Sequence, residues 1–157
     1  MDFLELDLRL TRDSVLGVAH DERLDPELCL APGGVRLEAP PLIAGLTSAE
    51  LRGFDCGTLK NPRFPAQRPV PGARVPTLAE VFAEAARLEA AGARRVQFYI
   101  EAKTPLVPAA GDPTPEALAA LVVKELRSAD AVGRSVLQSF DYRILSAARK
   151  LEPSLRI

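Results

Sequence analysis

The sequence predicts an α/β fold built on parallel strands. From Thr77 onward, segments with helical periodicity alternate with short apolar segments, in the order helix, strand, helix, strand, helix, strand. Because parallel neighbouring strands need a crossover between them, this alternation indicates a parallel sheet with right-handed crossovers. Apolar and acidic residues also alternate over residues 3–8, which is typical of a strand, and 157 residues suffice for one domain with a substantial core.

Residues 3–10 predict the first strand, in which Glu5 and Asp7 share one face because strand side chains alternate. Neighbouring carboxylates repel each other and are costly to bury, so the pattern indicates either a bound divalent cation or a solvated acidic face. After a short turn, residues 15–19 predict a second strand that ends at His20.

A long irregular stretch follows the second strand. Inside it, Thr47 and Glu50 have the spacing of a capping box and predict a short helix. Residues 56–75 are rich in Pro, Arg and Gly, and a loop of this length is usually functional or a disordered insert. Cys29 and Cys56 are too far apart in sequence for a metal-binding pair, and the sequence leaves open whether they are free thiols or a disulfide.

The second half of the chain has clear helix and strand boundaries, set by capping residues, glycine and proline. The predicted elements are a helix from Thr77 to Gly92, a strand at 96–103, a Pro-containing loop up to 113, a helix opening at Thr114 and Pro115, a strand at 135–140, a helix capped by Asp141, and the start of a fifth strand at 155–157.

Composition excludes several classes of function. The net charge is −1 and no basic block is present, so nucleic acid and anionic membrane surfaces are poor partners. No apolar run is long enough to span a bilayer, and the N-terminus carries no pattern of a signal peptide. With two cysteines and one histidine, a zinc site is not expected.

Ionisable and amide side chains follow the apolar bodies of the predicted strands. His20 follows the second strand, Glu101 and Lys103 end the third, and Gln138 lies on the fourth. Each has an ordinary alternative, such as an exposed charge pair or a turn cap. Because parallel α/β folds build their active sites at the carboxyl ends of the strands, the group together predicts a polar site at that edge.

Five ordered motifs resemble those of the glycerophosphodiester phosphodiesterase family, and the match runs over essentially the whole chain. They are a core motif at 5–13 and 18–21, followed by segments at 46–51, 75–81, 100–103 and 138–141. The resemblance implies a (β/α)8 barrel of the TIM type and metal-dependent hydrolysis of glycerophosphodiesters to sn-glycerol 3-phosphate and an alcohol.

The same resemblance implies residue roles. Glu5, Asp7 and Glu101 match the family's metal ligands, usually for Mg²⁺ or Ca²⁺, and His20 matches one of its two catalytic histidines. Lys103 matches a position that approaches the phosphate of the small-molecule substrate. These roles suit the reaction, since a divalent cation neutralises phosphate charge and a histidine can protonate the departing alcohol.

The chain also departs from the family pattern. It lacks the first strand with its His-Arg-Gly motif, and it contains no Trp, which the family carries on its last strand. We therefore expect residues 1–157 to form one incomplete domain, a partial barrel of about strands 2 to 6 with a Pro-rich insert at 56–75. We expect little or no activity from this chain, and the alternative function is a non-catalytic remnant that binds a divalent cation or a phosphate ester.

Two further expectations follow from the partial barrel and from the insert. Unpaired strand edges favour self-association, because they offer free backbone groups to another chain. The insert resembles that of longer bacterial members, several of which are exported. A periplasmic or secreted location is therefore expected for the full-length protein, with a cytoplasmic one as the alternative.

Overall fold

The computed structural model describes residues 3–105 and 112–157. The strands are β1 (Phe3–Leu10), β2 (Leu16–Val18), β3 (Leu30–Ala31), β4 (Val35–Arg36), β5 (Gln97–Ala102) and β6 (Ser135–Gln138). The α-helices are α1 (Ser48–Leu51), α2 (Leu78–Ala90), α3 (Pro115–Ser128) and α4 (Tyr142–Leu151), with 3₁₀ turns at Ile43–Gly45 and Val132–Arg134. Residues 106–111 of the predicted Pro-containing loop lie outside the described residues.

The main sheet has four strands in the order β2-β1-β5-β6, and β1, β5 and β6 run parallel. This arrangement confirms the α/β class and the partial barrel, since the described strands form an open sheet rather than a closed one. A parallel bridge between Val136 and Arg156 places residues 155–157, where the sequence predicted the opening of a further strand, beside β6.

The second strand differs from the prediction of parallel barrel strands. β2 pairs antiparallel with β1, with Val18 opposite Leu8 and Leu16 opposite Leu10. The reason is the connection, because a tight turn at residues 11–15 can return the chain only antiparallel, whereas a parallel neighbour needs a crossover of about a dozen residues. β2 is therefore a short hairpin strand at the edge of the sheet.

The core lies between one face of the sheet and helices α2, α3 and α4. Strand residues at alternate positions fill it, including Leu6 and Leu8 of β1 and Phe98 and Ile100 of β5. Because side chains alternate along each strand, the opposite face carries the ionisable residues of β1 and β5. At the amino end of that face, Phe3 and Tyr99 are exposed. Self-association through the open face or the strand edges stays a prediction.

The predicted helix starts are confirmed by capping geometry. Thr47 and Thr77 each accept a hydrogen bond from the backbone N–H of the glutamate three residues later, and that glutamate accepts one in return from the threonine N–H. Thr114 caps α3 with Pro115 at its first position, and Asp141 caps α4. Among the described residues, no helix is both long and apolar enough to cross a bilayer.

The segment between β2 and α2 has its own small core. Its buried members are Leu24, Cys29, Ile43 and Leu51, and the structure forms a disulfide between Cys29 and Cys56. Of the two states that the sequence left open, free thiols or a disulfide, the structure has the disulfide. It fastens the β3–β4 hairpin region to the start of the Pro-rich insert.

The predicted insert at 56–75 is organised by Asp55. One carboxylate oxygen accepts the backbone N–H groups of Gly57 and Thr58, and the other accepts the Thr58 hydroxyl and the N–H of Gly72. These hydrogen bonds, the Thr58 hydroxyl first, lower the pKa of Asp55 to about 2. Residue 57 must be glycine because the backbone at Val70 passes close to it. A Cβ at this position would lie 2.0 Å from the Val70 carbonyl oxygen.

Reduction of the Cys29–Cys56 disulfide is expected to lower the free energy of unfolding. The bond closes a loop with a sequence separation of 27. Loss of this constraint on the unfolded chain costs about 3.5 kcal/mol. Urea unfolding with and without dithiothreitol measures the effect, and the Cys29→Ser/Cys56→Ser double variant should match the reduced protein. Equal midpoints for the oxidised and reduced chains would contradict the prediction.

Candidate active site

Two carboxylates and one ammonium group meet where β1 and β5 end. The parallel register places Asp7 opposite Glu101, and the Lys103 N–H extends the pairing by donating to the Leu8 carbonyl at 3.3 Å. The Lys103 Nζ lies 3.1 Å from Asp7 Oδ1 and 2.9 Å from Glu101 Oε1. The three side chains are only 10–14% exposed, so these ion pairs are largely shielded from solvent.

The surroundings of Lys103 keep it charged. Burial alone would lower the pKa of Lys103, but hydrogen bonds and charges from Glu101 and Asp7 outweigh burial and raise that pKa above its ordinary value. Gln138 of β6 adds a neutral donor, because its Nε2 lies 3.2 Å from Glu101 Oε2. Both oxygens of the Glu101 carboxylate are thus hydrogen-bonded, which offsets the cost of burying it.

Glu5, the third predicted metal ligand, lies further from this point. It shares the face of Asp7, but two residues along a strand are about 6.6 Å apart, and its side chain is exposed. Within the two described ranges, no group of three or more His, Cys, Asp or Glu side chains is spaced to hold a metal ion. The structure therefore brings together two of the three predicted ligands, and the three-carboxylate site stays a prediction.

The donor set still suits a hard cation. Asp7 and Glu101 direct one oxygen each to a single point about 3 Å away, where Lys103 now supplies the positive charge. Carboxylate oxygens are the ligands that Mg²⁺ and Ca²⁺ prefer. A cation bound there would share this position with the Lys103 ammonium group or displace it.

His20 reaches the same edge of the sheet through the β1–β2 hairpin. The Ala19 N–H donates to the Asp7 carbonyl at 2.9 Å, so His20 follows directly beside the carboxylate cluster. Its Nδ1 lies 2.7 Å from Asp21 Oδ1, and the ring is 72% exposed. Because a carboxylate can only accept, Nδ1 carries the proton in this contact, and Nε2 is the other ring nitrogen left for proton exchange.

His20 and Lys103 line one cavity of about 690 Å³ at the carboxyl ends of the strands. Phe140 also lines it, with 90% of its surface exposed. The sequence placed Phe140 inside a strand at 135–140, but β6 ends at Gln138 and releases it into the loop that leads to α4. The cavity lies at the sheet edge where the sequence predicted a polar site.

Two residues at the site were not identified from the sequence. Asp21 contacts the His20 ring, and adjacency to a candidate catalytic histidine was a usable signal for it. Arg9 also lines the cavity. It continues the alternation of Glu5 and Asp7 along β1, so the sequence could have predicted which face of the sheet it occupies. The sequence could not have predicted which groups it binds.

Comparison with known proteins gives a consistent set of matches. The model of the "Glycerophosphoryl diester phosphodiesterase family" matches residues 1–157. A glycerophosphodiester phosphodiesterase of Bacillus subtilis (strain 168) is 33% identical over 98% of this chain and 47% of its own length. One of Caldanaerobacter subterraneus subsp. tengcongensis is 27% identical over 99% of this chain and 53% of its own length.

Solved structures show the same similarity. A Silicibacter pomeroyi DSS-3 protein described as a glycerophosphoryl diester phosphodiesterase superposes with a TM-score of 0.85 at 28% identity, over 99% of this chain and 53% of that one. A glycerophosphodiester phosphodiesterase from Agrobacterium tumefaciens str. C58 gives a TM-score of 0.64 at 26% identity, over 99% and 52% of the respective chains. This chain thus spans about half the length of the relatives that it matches.

Proposed function

The chain belongs to the glycerophosphoryl diester phosphodiesterase family, and on that premise we propose that its site serves metal-dependent hydrolysis of glycerophosphodiesters to sn-glycerol 3-phosphate and an alcohol. One observation carries the proposal. Asp7 and Glu101 converge on the Lys103 ammonium group beside a cavity that His20 also lines. A phosphodiester needs positive charge at its phosphoryl oxygens and a proton for its leaving oxygen, and this cluster supplies both.

Asp7 and Glu101, with Glu5 on the same face, are the residues that would hold the divalent cation, Mg²⁺ or Ca²⁺. When bound, such a cation supplies charge neutralisation and Lewis acidity at the phosphate. Lys103 provides a fixed positive charge at the same place, and its hydrogen bonds to two carboxylates hold it there without reorganisation.

His20 is the proton donor in this proposal. Water adds to phosphorus and releases one proton to solvent, the bond from phosphorus to the alcohol oxygen breaks, and the His20 imidazolium gives its proton to that oxygen as it departs. His20 then regains a proton from solvent. Asp21 orients the ring through Nδ1, which leaves Nε2 for the transfer.

Removal of the two convergent carboxylates should weaken cation binding. In calorimetry with Mg²⁺ or Ca²⁺ alone, we expect the Asp7→Asn/Glu101→Gln double variant to bind at least about 10-fold more weakly than the wild type, because hard cations need anionic oxygen ligands. Glu84→Gln is the matched control, since Glu84 pairs with Arg87 on the surface of α2. Unchanged binding in the double variant would show that the site is misassigned.

Turnover is tested on the purified chain with sn-glycero-3-phosphocholine, by a coupled assay for sn-glycerol 3-phosphate with either cation or with EDTA. Release that needs the cation supports the proposal. A second candidate is a chain that binds the cation or a phosphate ester without turnover. It is favoured by the single histidine in the sequence, which leaves His20 without a second imidazole to act as base. Cation binding in calorimetry without product release would favour this candidate.

We also propose that the full-length protein works in the periplasm or outside the cell. The Cys29–Cys56 disulfide supports this location, because disulfides persist in oxidising compartments and are rare in the cytosol. Cell fractionation with non-reducing mass spectrometry tests it. Recovery of the protein from the cytoplasmic fraction with both thiols free would contradict it.

A further inference from the structure

Arg9 lies at the junction of the three chain segments that build the site. It is the last ionisable residue on the polar face of β1, after Glu5 and Asp7, and it is opposite Gly17 of β2. Its side chain is only 14% exposed, although it carries a permanent charge. A buried guanidinium needs hydrogen-bond acceptors, and the identity of those acceptors indicates what the residue does.

Among the described residues, the Arg9 guanidinium hydrogen-bonds to the backbone at His20 and next to Lys103. Its Nε and Nη2 donate to the carbonyl oxygen of His20 at 3.0 and 2.8 Å. Its Nη1 donates to the carbonyl oxygen of Thr104 at 3.3 Å and lies 3.6 Å from Glu22 Oε1. One planar group therefore binds the backbone at His20 and the backbone directly after Lys103.

The backbone contacts matter because the His20 ring has little other support. The ring is 72% exposed, and Asp21, which is itself 66% exposed, contacts it. The position of the imidazole is therefore set mainly by where the backbone at His20 is held. The Lys103 ammonium group is held by the carboxylates of Asp7 and Glu101. Because Thr104 directly follows Lys103, the hydrogen bonds from Arg9 to the backbone at His20 and Thr104 connect His20, the proposed proton donor, to Lys103.

We propose that Arg9 is a positioning residue that sets the spacing between His20 and Lys103 by binding the backbone carbonyls of His20 and Thr104 at once. The inference rests on the proposed function of this site. A lysine cannot replace Arg9, because its donors sit on a single nitrogen and lack the rigid planar fork that reaches both carbonyl oxygens at once. An arginine that served only to solubilise the surface would be exposed and would not be directed to these two carbonyls.

The test uses the intact chain labelled with ¹³C and ¹⁵N in histidine, because His20 is the only histidine and gives one carbonyl and one amide resonance. Arg9→Lys keeps the charge and removes the planar fork. Arg12→Gln is the matched control, since Arg12 donates to the Gly45 carbonyl and to Glu50 and does not contact His20. In Arg9→Lys we expect a shifted His20 carbonyl and an amide order parameter that falls from about 0.85 towards 0.6.

The kinetic readout uses sn-glycero-3-phosphocholine with Mg²⁺. Because a misplacement of about 1 Å can cost about 100-fold in rate, we expect kcat of Arg9→Lys to fall by about 10- to 100-fold with KM unchanged. A raised KM at unchanged kcat would overturn the inference, since Arg9 would then bind substrate directly. A wild-type chain without turnover would count against the proposed function, and the resonances would still decide the role of Arg9.

The resonances give equally definite outcomes. An unchanged His20 carbonyl and order parameter in Arg9→Lys, or an equal change in Arg12→Gln, would overturn the inference. Where Arg9→Lys does not fold, the wild type labelled with ¹⁵N in arginine and ¹³C in histidine provides the test, through the coupling across the hydrogen bond between the Arg9 guanidinium nitrogens and the His20 carbonyl carbon. Detection of that coupling supports the inference, and its absence overturns it.

Discussion

Replacement of His20 by alanine is expected to lower kcat for sn-glycero-3-phosphocholine by about 100- to 10,000-fold, the usual contribution of a positioned general acid. The alcohol is a poor leaving group, so its oxygen must be protonated as the bond to phosphorus breaks. No second histidine is available to take over this transfer. Because the His20 side chain is 72% exposed, we expect the free energy of unfolding to change by less than about 0.5 kcal/mol. Steady-state kinetics and urea unfolding of the same preparation separate the two effects.

The leaving group provides the control for this prediction. Bis(p-nitrophenyl) phosphate releases a phenolate that departs without protonation, so His20→Ala should cost much less with this substrate. Added imidazole should restore part of the turnover of His20→Ala with the natural diester, because it can supply the missing proton. An equal loss with both substrates and no rescue by imidazole would show that His20 does not act as the proton donor.

Much of the fold followed from local sequence patterns. The capping boxes at Thr47 and Thr77 fixed two helix starts, because a threonine and a glutamate three residues apart satisfy the same free N–H groups in any fold. The alternation in β1 predicted that Glu5 and Asp7 share a face, and the strand-end rule predicted the edge at which Asp7, Glu101 and Lys103 meet. These features depend on interactions between residues that are close in sequence, so they can be predicted from the sequence.

Features set by distant contacts were not predictable in the same way. The antiparallel direction of β2 depends on its pairing with β1, and the Cys29–Cys56 bond depends on how the segment between β2 and α2 folds back on itself. At the site, the register of β1 and β5 alone determines that Asp7 faces Glu101 and that Glu5 does not. The candidate residues could thus be chosen from the sequence, while the distances between them required the structure.

Replacement of Lys103 by methionine is expected to destabilise the chain by about 4 kcal/mol at pH 8, because it leaves two largely buried carboxylates without their counter-charge. Methionine keeps most of the volume and length of the side chain, so packing changes little. Urea unfolding measures the loss. Lys124→Met is the matched control, since Lys124 is exposed on α3 and should change stability by less than about 0.5 kcal/mol.

The difference in stability between the wild type and Lys103→Met should depend on pH, and the shifted pKa of Lys103 determines the direction of this dependence. The pKa of Lys103 is raised in the folded chain above its ordinary value of 10.5. Its stabilising contribution is therefore complete below pH 10.5 and is lost as the pH rises through the folded pKa. We expect the stability difference between wild type and Lys103→Met to shrink above that pH.

Calcium provides a second readout for Lys103→Met. Because the ion can occupy the position that the ammonium group vacates, Ca²⁺ should raise the unfolding midpoint of the variant more than that of the wild type. This competition follows from the convergence of Asp7 and Glu101 on one point. Equal stability of variant and wild type at pH 8, together with no response of the variant to Ca²⁺, would contradict the role of Lys103 as the charge that holds the two carboxylates together.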